Sequence, residues 1–118
     1  MLLFAVAASG QTELDFLNAL GKGNTRNLDT YLSTPINLCI KDKQEKVDRS
    51  TAINKINAFL KTNKIIKYKI LHNGNSSDKT SSYRVARIKT NTGTYRIFAY
   101  SETKNGESKV VEVRIDAM

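Results

Sequence analysis

The stretch "LHNGNSSDKTSSYRVARIKTNTGTYRIFAYSETKNGESKVVEVRID", residues 71–116, is punctuated by Asn73-Gly74, Asn91-Thr92-Gly93 and Asn105-Gly106. Tight hairpin turns need positive φ at their central residues, which Asn and Gly adopt most readily, so these breaks read as hairpin turns. Between them, just before the first and just after the last lie runs rich in β-branched and aromatic residues, which the spacing assigns to strands at 65–72, 83–90, 94–101 and 109–115. Four consecutive strands joined this way form an antiparallel meander. In the second, Tyr83 and Val85 fall on one side and Ala86 and Ile88 on the other. That change of phase predicts a bulge or bend near Val85.

Upstream, the apolar spacing is helical. Leu14, Phe16, Leu17 and Leu20 share a face of a helix that starts at Thr12 and stops at Gly21-Lys22-Gly23. A second short helix, capped by Asn24 or Thr25, carries Leu28, Tyr31 and Leu32 and is ended by Pro35, where strand begins. Ile36, Leu38 and Ile40 then alternate, "KDKQEK" turns, and 45–47 return to complete a small hairpin. A third helix, capped by Asp48 or Ser50, sets the stripe Ala52, Ile53, Ile56, Phe59 and Leu60 against Asn54, Lys55, Asn57 and Lys61. Three helices on one face of a curved antiparallel sheet make an α+β fold.

This order of elements resembles the cone-shaped nuclear-transport-factor-2-like (NTF2-like), or cystatin-like, superfamily. More narrowly, the opening stretch together with "EKVDRSTAINKINAFLKTN" is similar to a family of small exported bacterial proteins, domain of unknown function 4783. The similarity runs over 14–116 and rests on the joint order of elements, the His72-Asn73-Gly74 turn and the Gly93-Thr94-Tyr95-Arg96 strand start. It implies a fold and export. It hands over no catalytic residues, because the family has no assigned activity.

At 118 residues the chain is one domain, large enough to hide roughly two-thirds of the surface its unfolded form exposes. The first ten residues, "MLLFAVAASG", resemble the back half of a secretory signal: an apolar run followed by small residues, without a basic leader. Cleavage after Gly10 and a mature domain of 11–118, periplasmic or extracellular, are expected; a cytosolic chain with an apolar start is the alternative. The run is too short to span a bilayer. Cys39 is the only cysteine, which excludes an intrachain disulfide or a cysteine-based zinc site and leaves a buried thiol in "INLCI".

Nineteen Lys and Arg against eleven Asp and Glu give a formal charge of +8, which favours anionic partners. The densest run, Lys61, Lys64, Lys67 and Lys69, reads first as a solvated face. Nucleic acid is not expected, since the stacking aromatics interleaved with that run are limited to Tyr68 and no helix-turn-helix or sheet-platform motif is present. Phosphate loop, nucleophile elbow and metal-ligand pair are also missing, so neither a cofactor nor a metal is indicated.

His72, the only histidine, shares strand parity with Ile66, Tyr68 and Ile70 and should point inward, where the cone of the superfamily can enclose a pocket. An enclosed imidazole beside a carboxylate could act as general base, as in enzymes of the superfamily that the chain resembles. Asp15, Asp42, Asp48 and Glu112 are candidate partners by elimination only; the plainer reading is a histidine bonding backbone groups at a strand end. By parity and aromatic content, Tyr31, Phe59, Tyr68, His72, Tyr83 and Tyr95 would line the cone. On the opposite face, whose parity Val110 shares, Arg96, Phe98, Tyr100, Glu112 and Arg114 have the composition of an interface, against the plainer reading of scattered surface aromatics with intrasheet ion pairs. The resemblance implies that sheet-face dimers are common. The expected function is a non-catalytic binding module, for a small ligand in the cone or a protein on the sheet. Alternatives are a cone enzyme using His72 and a binder of anionic polymers.

Overall fold

The computed structural model describes residues 11–75 and 80–118; the candidate signal remnant at 1–10 and loop residues 76–79 lie outside the described residues. The order is α1 (Gln11–Gly21), a 3₁₀ turn at Leu28–Tyr31, β1 (Leu32–Ile40), β2 (Lys43–Val47), α2 (Arg49–Thr62), β3 (Ile65–Asn75), β4 (Ser81–Thr90), β5 (Gly93–Lys104) and β6 (Glu107–Ala117). All strands join one sheet in the order β2-β1-β6-β5-β4-β3. The pairs are antiparallel except β1 with β6, which run parallel. α1 crosses the inner faces of β3 to β6 and α2 packs on β1.

One core fills the space between helices and sheet. Phe16, Leu17 and Leu20 of α1 and Ala52, Ile56 and Phe59 of α2 meet Leu38, Ile88, Ile97, Val113 and Ile115 from the strands. α2 starts where Asp48 accepts a hydrogen bond from the Thr51 N–H at 2.8 Å. The β1–β2 turn places Lys41 and Asp42 at φ of 51° and 73°, and the β5–β6 turn places Asn105 and Gly106 at 54° and 77°. Both pairs have the positive φ that two-residue hairpins require.

The expected second helix is instead the single 3₁₀ turn at Leu28–Tyr31. Asn27 provides no side-chain cap, and Leu32 has already turned extended, with φ −99° and ψ 143°. Pro35 does not start the strand but lies inside β1 after a cis Thr34–Pro35 bond, in the part of the parallel ladder that is out of step between Leu32 and Asn37. A residue without an N–H cannot donate to a ladder, so the irregularity falls there.

The bulge expected near Val85 is absent from β4, whose ladder with β5 is regular from Ser81 to Thr90. The extra residues lie on other strands: Ile66 and Leu71 on its neighbour β3, and Val111 on β6. Each reverses the facing of the residues beyond it on its strand. Val110, expected on the outer face, is thus fully buried in the core, and Ile66 is 64% exposed.

Candidate functional site

The proposed cone lining does not assemble. Phe59 and Tyr95 are buried and pack edge to face, with ring centroids 5.0 Å apart. The Tyr95 hydroxyl donates to Asn63 Oδ1 at 3.1 Å, Thr92 Oγ1 donates to the same oxygen, and Asn63 Nδ2 donates to the Phe59 carbonyl at 2.8 Å. These bonds tie the end of α2 to the β4–β5 turn. Tyr68 lies over Gly21 at the end of α1 and its hydroxyl donates to Asn18 Oδ1 at 3.0 Å. Tyr31 packs on the core from the 3₁₀ turn. These four aromatics hold the helices to the sheet.

His72 and Tyr83 are on the other side of the sheet. Ile70 pairs with the inward Ala86, Leu71 is the extra residue, and His72 therefore pairs with the outward Val85. The inward placement expected from parity is corrected by this one inserted residue. His72 is exposed, with its ring edge-on to Tyr83 at 6.4 Å, and Tyr83 stacks on Phe98 at 5.5 Å. Gly74 stands opposite Tyr83 and lets its ring lie close against the strand, where any Cβ would strike it. Leu71, Val85, Arg96, Arg114 and Asp116 complete a groove of about 600 Å³ around this row.

The remaining candidates lie along the same outer face. Phe98 pairs with Arg114, and Tyr100 with Glu112. Arg114 Nε is 3.9 Å from Asp116, whose register partner on β5 is Arg96. Beside the groove is a second depression, about 560 Å³, lined by Lys67, Lys69, Arg87, Lys89 and Thr94 with part of Tyr68. Lys67 stands opposite Lys89, Lys69 opposite Arg87, and Arg87 opposite Arg96. None of the four cations lining it has a carboxylate within 4.0 Å among the described residues.

The sequence matches the family described as Domain of unknown function (DUF4783) over residues 15–116. The chain belongs to this family. A DUF4783 protein from Bacteroides fragilis YCH46 is 30% identical, with a TM-score of 0.78 over 86% of this chain and 93% of that one. One from Bacteroides uniformis ATCC 8492 is 22% identical, with a TM-score of 0.81 over 92% and 97%. An NTF2-like protein of unknown function from Cytophaga hutchinsonii ATCC 33406, 12% identical with a TM-score of 0.68 over 98% and 95%, shares the fold. No curated protein matches the chain.

Within this DUF4783 fold the candidate carboxylates have other places. Asp15 accepts from Gln11 Nε2 at 2.8 Å, Asp42 sits in the β1–β2 turn, Asp48 caps α2, and Glu112 is three strands from His72. The carboxylate that the sequence reading misses is Glu13. It is fully buried, and its partners among the described residues are the hydroxyls of Ser82 and Ser101, the latter at 2.7 Å. The two hydroxyls are 3.2 Å apart. Glu13 is detectable in principle: with Phe16, Leu17 and Leu20 it occupies the i, i+3, i+4, i+7 stripe that α1 turns inward. Among the described residues no cluster of three or more His, Cys, Asp or Glu is placed to hold a metal, and no helix is long and apolar enough to cross a membrane.

Proposed function

We propose that this DUF4783 protein is a non-catalytic binding module that holds an anionic partner on the outer face of its sheet. The observation that carries the reading is the adjacency, on that face, of the His72–Tyr83–Phe98 row and cations that have no carboxylate neighbour among the described residues. Aromatic rings supply apolar contact area at low entropic cost, and unpaired guanidinium and ammonium groups supply charge that an acidic partner can neutralise. The cone interior, by contrast, is occupied by Phe59 and Tyr95 and their hydrogen bonds. The carboxylates considered as partners for a general-base His72 lie elsewhere in the fold, and the ring is exposed.

The test is an amide NMR titration with poly-L-glutamate at low salt. Shifts confined to β3, β4 and β5 outer-face residues, weakening as salt screens the charges, are expected. Shifts centred on the helices, or none at all at low salt, would overturn the reading.

A second reading, a homodimer through the same face, is favoured by the pairing of Phe98 with Arg114 and of Tyr100 with Glu112, which sets both signs of charge beside the aromatics. It predicts dimers in sedimentation equilibrium that Phe98→Asp converts to monomers.

A further inference from the structure

The cations at the β3–β4 end of the outer face lie where sheet energetics disfavour them. Like charges directly opposite across a ladder destabilise it, and here Lys67 faces Lys89, Lys69 faces Arg87, and Arg87 faces Arg96 on its other side. Part of this has a structural reason. β3 is an edge strand, and lysines on an edge discourage pairing with another chain. That reason does not reach Arg87 and Lys89, because β4 is paired on both sides. A cost that fold and solubility leave unexplained is expected where a surface has a binding task.

Resting on the anionic-partner reading above, we infer that the depression lined by Lys67, Lys69, Arg87 and Lys89 is a site for linked phosphate groups, an oligophosphate. Strand geometry sets these side chains at the corners of a rectangle of about 5 by 7 Å, the spacing between strands by twice the rise per residue. Several cations in so small an area call for a ligand of high charge density. A chain of linked phosphates carries a charge on every unit, whereas isolated carboxylates would leave cations still facing one another. Arg87 presents the planar fork that takes two phosphate oxygens together, the lysines act as point charges, and the Thr94 hydroxyl adds a neutral donor at the rim. The depression, about 560 Å³, is of the size that small ligands occupy.

The experiment is calorimetric titration of the full chain with inorganic tripolyphosphate, with citrate, poly-L-glutamate and oligothymidylate in parallel, at low and moderate salt. Tripolyphosphate is expected to bind at least about tenfold more tightly than citrate, since one tenfold step is a modest 1.4 kcal/mol. The double variant Arg87→Gln/Lys89→Gln, on exposed positions, should lose at least that factor. Lys61→Gln/Lys64→Gln removes the same charge from exposed positions at and beyond the end of α2 and should leave the affinity within twofold. Circular dichroism of each variant checks that the fold is retained. Equal binding of citrate and tripolyphosphate, with poly-L-glutamate still bound to the outer face, would overturn the oligophosphate site and leave the anionic-partner reading standing. Failure of every anion at low salt would overturn both. Equal loss in the two double variants would reduce the effect to net charge, and tighter binding of oligothymidylate than of tripolyphosphate at equal phosphate concentration would reassign the face to nucleic acid; either result overturns the inference.

Discussion

His72 stands opposite Val85 across the β3–β4 ladder, one residue out of step with the Ile70–Ala86 pair beside it. That single step decides which side of the sheet carries the histidine, and it makes the two residues unequal in stability. Val85 is 5% exposed beneath the outer-face aromatics, while His72 is open to water. His72→Ala should change unfolding stability by no more than about 0.5 kcal/mol, as for most surface changes. Val85→Ala, losing two buried methylene equivalents, should cost roughly 1.5 kcal/mol or more. Urea unfolding of both variants checks the pair. A larger loss for His72→Ala would mean that the imidazole is enclosed.

Gly21 ends α1 beneath the ring of Tyr68, and a Cβ there would come within 2.5 Å of two ring carbons. Gly21→Ala should therefore destabilise by about 1 to 3 kcal/mol, the usual cost of forcing a close-packed site apart. Tyr68→Leu in the same chain should restore part of the loss by removing the ring that the new methyl strikes. A double-mutant cycle in urea measures the coupling. Additive losses would show that the cost comes from the helix end rather than from the ring.

Much of the architecture is legible in the sequence because local chemistry agrees with the fold. Asn105-Gly106 turns where positive φ is needed, Asp48 caps α2, and the stripe from Ala52 to Phe59 is the buried face of that helix. Facing is less legible. Alternation is a count, and the count restarts at every inserted residue; Ile66, Leu71 and Val111 leave no compositional mark. Tyr68 and Ile70 lie between the two β3 bulges and face inward as alternation predicts, whereas His72 lies just past the second. The 3₁₀ turn at Leu28–Tyr31 reads as a helix for a related reason, since its three-four spacing of apolar residues is common to a full helix and to a single turn that delivers Leu28 to the core. The basic depression is hidden because it is assembled from β3 and β4 residues some twenty positions apart, and only register brings Lys67 to Lys89 and Lys69 to Arg87.

Glu13 bridges α1 to two strands through Ser82 and Ser101. Its replacement by leucine removes the acceptor that the two hydroxyls share, so Glu13→Leu should cost about 1 to 3 kcal/mol. Replacing all partners by apolar groups is far less costly than removing one of them. The triple variant Glu13→Leu/Ser82→Ala/Ser101→Ala should thus be more stable than Glu13→Leu alone, a ranking that thermal unfolding can read directly.

The cap of α2 gives a pH dependence with a definite sign. Thr51 donors, its hydroxyl first and its backbone N–H second, with the Ser50 hydroxyl adding to them, hold the Asp48 carboxyl below its ordinary value of 3.8. A carboxyl lowered on folding contributes stability that is present above its unfolded value and is lost as pH falls through its folded value. Asp48→Ala should therefore be less stable than the parent at neutral pH, and the gap should narrow as pH drops below about 3.8. Asp48→Asn, which keeps an acceptor for the Thr51 N–H but does not titrate, should remove most of that acid dependence. Parallel urea titrations at neutral and acid pH are the check, and a gap that widens in acid would reverse the assignment.

The opposed lysines on β3 and β4 predict a trade between stability and binding. Lys89→Glu converts the Lys67–Lys89 pair from repulsive to attractive and sets a carboxylate beside Arg87 and Lys69. Cross-strand charge pairs differ by amounts up to about 1 kcal/mol, so the variant should be more stable than the parent by that order at low salt, with the gain fading as salt is added. The same change places a negative charge in the proposed oligophosphate site and should abolish tripolyphosphate binding. Stability and affinity moving in opposite directions in one substitution is what a surface kept for anion binding requires. If Lys89→Glu were neutral or destabilising at low salt, the like-charge ladder would carry no cost, and no energetic penalty would mark these cations as kept for a ligand.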